Sequence, residues 1–70
     1  MKYAVVIEKG PESYGAYVPD LPGCGVAGNS KAEVLRLIKE AVVLHIEGMK
    51  EQGVAIPAAS AIEFVDVVAA

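Results

Sequence analysis

Only one cysteine, Cys24, and one histidine, His45, occur in this chain of 70 residues. A single thiol cannot form an internal disulfide, and one cysteine with one histidine cannot supply the four ligands of a structural zinc site. A domain of this length buries only about 60% of the surface that its unfolded chain exposes. Since disulfides and zinc are excluded as sources of stability, we expect self-association into a homo-oligomer, either a dimer or a tetramer.

Basic residues are also scarce. Six Lys and Arg stand against nine Asp and Glu, which gives a net charge of −3. Contacts with phosphate groups need clustered positive charge, so this balance argues against direct binding of nucleic acid and is easier to reconcile with a basic protein partner.

Long apolar runs and targeting segments are missing too. No run approaches the roughly 20 apolar residues of a membrane span, and no segment has the pattern of a signal peptide. A lone thiol fits a reducing compartment. We therefore expect a cytoplasmic protein that does not enter a membrane.

The pattern of apolar residues predicts one α+β domain that covers residues 1–70. β-branched and aromatic residues favour strands at 2–9, 14–18 and 24–27, and the turn at 10–13 makes the first two an antiparallel hairpin. A last strand is predicted at 62–68. The expected order is β-β-β-α-β, with three or four mainly antiparallel strands and one helix on one face of the sheet.

The helix is predicted over residues 31–52. Ser30 and Glu33 have the spacing of a capping box, and Gly53 stands where a left-handed C-terminal cap is expected. The apolar arc of the helix covers roughly 200°, which is too wide for one sheet face, so part of it is expected to meet another subunit. The residues assigned to this oligomer interface are Leu37, Leu44, His45 and Ile46.

Two prolines and a glycine lie between apolar residues in the loop that follows the second predicted strand. Each proline fixes its own φ and biases the preceding residue toward extended geometry, while Gly23 permits a sharp turn. The loop either shapes a connection between strands or contacts a partner. Its central leucine either enters the core or stands out as an anchor. Together with two nearby tyrosines, the candidate partner-binding residues are Tyr14, Tyr17, Pro19, Asp20, Leu21, Pro22 and Gly23.

The two tyrosines lie three positions apart in the second predicted strand. Because side chains alternate along a strand, Tyr14 and Tyr17 should face opposite sides of the sheet. One of them is therefore expected to be exposed beside the loop, where an aromatic side chain can anchor a protein partner.

Residues 17–24 read Tyr-Val-Pro-Asp-Leu-Pro-Gly-Cys, placed between a strand and the Ser-Lys-Ala-Glu helix start. This arrangement resembles the HicB-like family of small antitoxin domains, and the resemblance covers nearly the whole chain. It implies a partial ribonuclease-H-like sheet and a small, basic, HicA-like ribonuclease toxin as partner, whose catalytic histidine the antitoxin blocks. Longer family members continue into a DNA-binding segment, which this chain does not contain, so we expect no operator binding by these residues alone.

Catalysis is not expected. Two-metal nucleases need carboxylates that converge on ions about 4 Å apart. Here Asp20 lies in the loop, Glu8 ends a strand, and four glutamates fall on the solvent face of the helix, namely Glu33, Glu40, Glu47 and Glu51. His45 has no neighbouring nucleophile, and no cation lies near Cys24 to favour a thiolate. The sequence leaves open whether these two residues belong to the core or to an interface. We expect no catalytic residues, no metal site and no cofactor.

Two other functions remain open at this stage. The chain could be a stand-alone module that associates with itself or binds a different protein. It could also be a degenerate nuclease, which would cleave RNA in the presence of a divalent metal ion.

Overall fold

Three antiparallel strands and one long helix make up the computed structural model, which describes residues 2–68. The elements are β1 (Val6–Lys9), β2 (Tyr14–Tyr17), β3 (Gly25–Gly28) and α1 (Lys31–Glu51). The sheet order is β1-β2-β3, so β2 is central. The predicted α+β class is confirmed in its three-stranded form.

β1 is shorter than predicted, because its partner strand ends early. The register pairs Val6 with Tyr17, so residues 3–5 would have to pair beyond Tyr17. There the chain turns at Pro19, which has no N–H to donate to a ladder. Residues 2–5 therefore lead into the sheet without belonging to it.

The helix begins and ends close to the predicted residues. The Glu33 N–H donates to Ser30 Oγ at 3.1 Å, which is one half of the predicted capping box. The other half differs, since the Glu33 carboxylate accepts from the Asn29 N–H at 3.0 Å. At the other end Gln52 is the C-cap, and Gly53 has a φ of 71°, as expected for a left-handed cap.

The core lies between the sheet and one face of the helix. Val34 and Ile38, one turn apart on α1, are buried against β2 and the loop that follows it. Side chains four residues apart lie on the same side of a helix, so this pair forms one contact surface. The buried residues are Ala16, Val18, Leu21, Cys24, Val34 and Ile38.

The prediction of a fourth strand at residues 62–68 is wrong for a single copy of this chain. Within residues 2–68 no strand follows α1, and residues 61–68 are all exposed. A strand forms only where its backbone groups find a partner, and here the segment leaves the domain without pairing. Asp66 also interrupts the apolar face that Ile62, Phe64 and Val68 would share.

Candidate protein-binding site

The loop between β2 and β3 is built from two consecutive β-turns. The Leu21 N–H donates to the Val18 carbonyl and the Cys24 N–H donates to the Leu21 carbonyl, each at 3.0 Å. Each turn has a proline in its second position, where a fixed φ is favourable. Gly23, third in the second turn, has a φ of 85°, which is the requirement of a type II turn.

Both turns are closed onto the end of the sheet. The Val18 N–H donates to the Cys24 carbonyl at 3.0 Å, which continues the pairing of β2 with β3. Every third residue of the loop, namely Val18, Leu21 and Cys24, is buried, whereas Pro19, Pro22 and Gly23 are exposed. The loop is therefore a stiff element that presents its prolines to solvent.

The sequence left open whether Leu21 enters the core or stands out as an anchor. In the structure its side chain enters the core. Its side chain is 0% exposed and belongs to the core cluster. A fully buried side chain cannot anchor a partner protein, so Leu21 is removed from the partner-binding set. Its role is to hold the loop against α1.

The two tyrosines of β2 face opposite sides of the sheet, as their spacing predicts. Tyr14 is half-buried and packs against the core. Tyr17 is 42% exposed and lies directly beside the loop. Of the two, only Tyr17 offers a free aromatic surface next to the prolines.

Asp20 binds the segment that follows the helix. Its carboxylate accepts hydrogen bonds from the Ser60 N–H at 2.9 Å and from the Ser60 hydroxyl at 2.5 Å. These two bonds, the hydroxyl first, hold the pKa of Asp20 below its ordinary value of 3.8. Asp20 is thus charged at neutral pH, and its carboxylate is already occupied within the chain.

Cys24 is a core residue. Its side chain is buried, and burial raises the pKa of the thiol above its ordinary value of 9.0. A protonated thiol is a weak nucleophile. The question that the sequence left open for Cys24 is therefore answered in favour of packing.

A shallow depression of about 430 Å³ lies at the loop and is lined by residues 17–19 and 21–25, with the buried Val18, Leu21 and Cys24 among them. Tyr17 and Pro22 contribute apolar surface to it. Apolar surface next to backbone groups held in fixed turns is suited to a side chain from another protein.

The helix residues assigned to an oligomer interface divide into two groups. Leu44 is 68% exposed, and Leu37 and His45 are half-buried. Ile46 packs against the core cluster of its own chain. The structure therefore places Leu44 on an open flank of α1, leaves Leu37 and His45 half-buried, and turns Ile46 inward.

Neither a metal-binding cluster nor a membrane-spanning helix occurs among the described residues. In this part of the chain, no three His, Cys, Asp or Glu side chains lie close enough together to hold a metal ion. No helix within residues 2–68 has both the length and the apolar character needed to cross a membrane.

Two contacts to the segment after the helix were not predicted. One joins Asp20 to Ser60, and in the other the Tyr3 hydroxyl donates to the Pro57 carbonyl at 2.5 Å. The partners lie 40 and 54 residues apart in the chain. No local pattern signals contacts between such distant residues.

Fold and loop together define a small α+β domain with a rigid exposed loop at one end of its sheet. The model of the HicB-like antitoxin of bacterial toxin–antitoxin systems matches residues 3–68. The chain therefore belongs to the HicB-like antitoxin family, as the loop and helix start had indicated.

Relatives of known sequence agree with this assignment. A 14.9 kDa protein of Haemophilus phage HP1 is 43% identical over 63 residues, which cover 90% of this chain and 47% of the phage protein. A UPF0150 protein of Thermoplasma acidophilum is 45% identical over 58 residues, covering 81% of this chain and 84% of that protein. The chain thus spans about half the length of the phage relative and most of the archaeal one.

A solved structure shares the fold. A chain of the HicA3 and HicB3 toxin-antitoxin complex superposes with a TM-score of 0.73 at 33% identity, covering 86% of this chain and 70% of that one. That protein was therefore solved in a complex of toxin with antitoxin.

Proposed function

We propose that this domain binds a small basic ribonuclease toxin of the HicA kind in the cytoplasm and neutralises it by direct contact, without catalytic activity of its own. The observation that carries the proposal is the double-turn loop, whose exposed prolines lie beside Tyr17. The proposed contact residues are Tyr17, Pro19, Pro22 and Gly23.

The stiffness of the loop favours tight binding. Ordering a flexible loop on association costs free energy, whereas a loop already held in its bound shape avoids most of that cost. Here the prolines, three backbone hydrogen bonds and the buried Leu21 hold the shape before any partner arrives. Tyr17 adds an aromatic side chain, one of the residue types that dominate binding energy at interfaces.

The charge of the chain supports a basic partner. With a net charge of −3, the domain attracts a positively charged protein and repels nucleic acid. A toxin that binds RNA must itself carry positive charge. The solved relative, which belongs to a HicA3 and HicB3 complex, supports the same kind of partner.

The proposal is tested by recovering the partner and then measuring its activity. The tagged 70-residue chain is used to capture proteins from the native cell extract, and any small basic protein recovered in equal amount is assayed for RNA cleavage. We expect cleavage to stop once the chain is present at a one-to-one ratio. Cleavage that continues in an excess of the chain would refute the proposal.

A second candidate function is that of a self-associating module, which the open flank of α1 favours. Leu44 is largely exposed, and Leu37 lies two turns before it on the same side of the helix. Recovery of only its own copies in the capture experiment would favour this function. We propose Leu37 and Leu44, with His45 beside them, as the contact between copies.

A further inference from the structure

The most unusual surface in this structure is the segment after Ser60. Residues 62–68 contain five large apolar side chains, and Phe64 is 95% exposed. Single exposed apolar residues are normal on proteins, but a contiguous group marks an interaction site. We name residues 62–68 the tail.

The residues just before the tail are held by hydrogen bonds to the rest of the domain. Tyr3 holds Pro57 and Asp20 holds Ser60, so the chain just before the tail is attached to the end of the sheet where β1 begins. Beyond Ser60, residues 61–68 are all exposed. The longest dimension of the domain is 48 Å, which exceeds the length of about 31 Å expected for the 21 residues of α1.

A matching surface lies along β1. Within residues 2–68, β1 is an edge strand that pairs with β2 alone, so the other side of its backbone is open to a further strand. Beside it, Tyr3, Val5, Ile38, Lys39 and Val42 line an apolar groove of about 290 Å³ between the start of the chain and α1.

The tail and the groove are both apolar, and they carry opposite charges. Phe64 and Asp66 lie two positions apart, so in an extended chain they point to the same side, roughly 7 Å apart. When Phe64 fills the apolar groove, Asp66 comes within reach of Lys39, the one cation among the described residues that line it.

We propose that the tail of one copy adds as a strand to the β1 edge of a second copy, with Phe64 in the groove of that copy. Each copy carries one tail and one groove. Two copies related by a two-fold axis therefore each place their tail in the groove of the other. The pattern of residues 62–68 is that of a strand, and a second copy supplies the missing partner. The proposal concerns contact between copies and does not depend on binding a toxin.

The test has to separate this contact from the helix flank. All measurements therefore use the 70-residue chain carrying Leu44→Lys, which disrupts any contact through the helix flank. In this background we expect a dimer in sedimentation, and Phe64→Lys should raise its dissociation constant about 30-fold, as for a central aromatic anchor. Val43→Lys, which adds the same charge at another exposed apolar residue, should change it by less than about twofold.

A second measurement locates the contact directly. A sample that mixes isotope-labelled with unlabelled copies, both carrying Leu44→Lys, is examined by filtered NMR for contacts between the Phe64 ring and the methyl groups of Val5 and Val42. Contacts between labelled and unlabelled copies support the proposal. A monomer at all concentrations, a dimer unaffected by Phe64→Lys, or ring contacts confined to one copy would each overturn it.

Discussion

Asp20 and Ser60, 40 residues apart in the chain, are joined by two hydrogen bonds at 2.9 and 2.5 Å. Asp20 lies in the proline loop, and Ser60 immediately precedes the exposed residues 61–68. The bond pair therefore connects the proposed toxin-binding loop to the proposed self-association segment, and it fixes where the tail leaves the domain.

Replacing Asp20 with Asn should release the chain around Ser60 while leaving the fold intact. The amide keeps one acceptor oxygen but lacks the charge that strengthens both bonds. We expect faster hydrogen exchange of the Ser60 amide and an unchanged rate for core amides such as that of Ile38. Glu40→Gln, which removes one charge from an exposed helix residue, is the control. Equal rates of hydrogen exchange at the Ser60 amide in the unaltered chain, Asp20→Asn and Glu40→Gln would contradict the prediction.

The same contact should depend on pH. Because Ser60 lowers the pKa of Asp20, the folded pKa lies below the unfolded one. The stabilisation is therefore fully present above the ordinary value of 3.8 and is lost as the pH falls through the folded pKa. An NMR titration of the Ser60 amide should show a transition below pH 3.8. The transition should be absent in Asp20→Asn, and a midpoint above 3.8 in the unaltered chain would argue against the contact.

Leu21→Ala should destabilise the domain severely. Truncating a fully buried leucine typically costs about 2–5 kcal/mol, and small domains have little more than that in total. The free energy of unfolding is measured by urea denaturation. Pro22→Ala, on the exposed side of the same loop, should cost less than about 1 kcal/mol. A mild effect of Leu21→Ala would mean that its side chain does not lie in the core.

Leu44→Lys should weaken self-association through the helix flank without unfolding the chain, because this side chain is 68% exposed. Ile46→Lys should instead lower the melting temperature by more than about 4 °C, since it places a charge against the core. Sedimentation and thermal unfolding distinguish the two effects. An unchanged sedimentation profile for Leu44→Lys would show that the flank is not an interface.

Much of the fold could be predicted because its signals are local. The helix start depends on Ser30 and Glu33, its end on Gly53, and the loop on its two prolines and Gly23, all of which act on backbone within a few residues. The strands followed from the alternation of apolar residues. The position of the stiff loop could therefore be predicted from the amino-acid sequence alone.

The remaining features depend on residues that are distant in the chain. The Asp20 and Ser60 contact has no local signature, and the inward turn of Leu21 depends on where α1 packs. The strand predicted at residues 62–68 has suitable residues but finds no partner in the part of the chain that the structure describes. Propensity alone cannot supply the neighbour that a strand requires.

The central claim, that the loop and Tyr17 bind a basic toxin, is tested most directly by calorimetry with the captured partner. Tyr17→Lys adds one positive charge beside the loop, and Glu12→Gln adds the same net charge at the exposed turn at the other end of the sheet. We predict that Tyr17→Lys raises the dissociation constant by at least about tenfold, whereas Glu12→Gln changes it by less than about twofold. Equal affinities for the two variants would contradict the account.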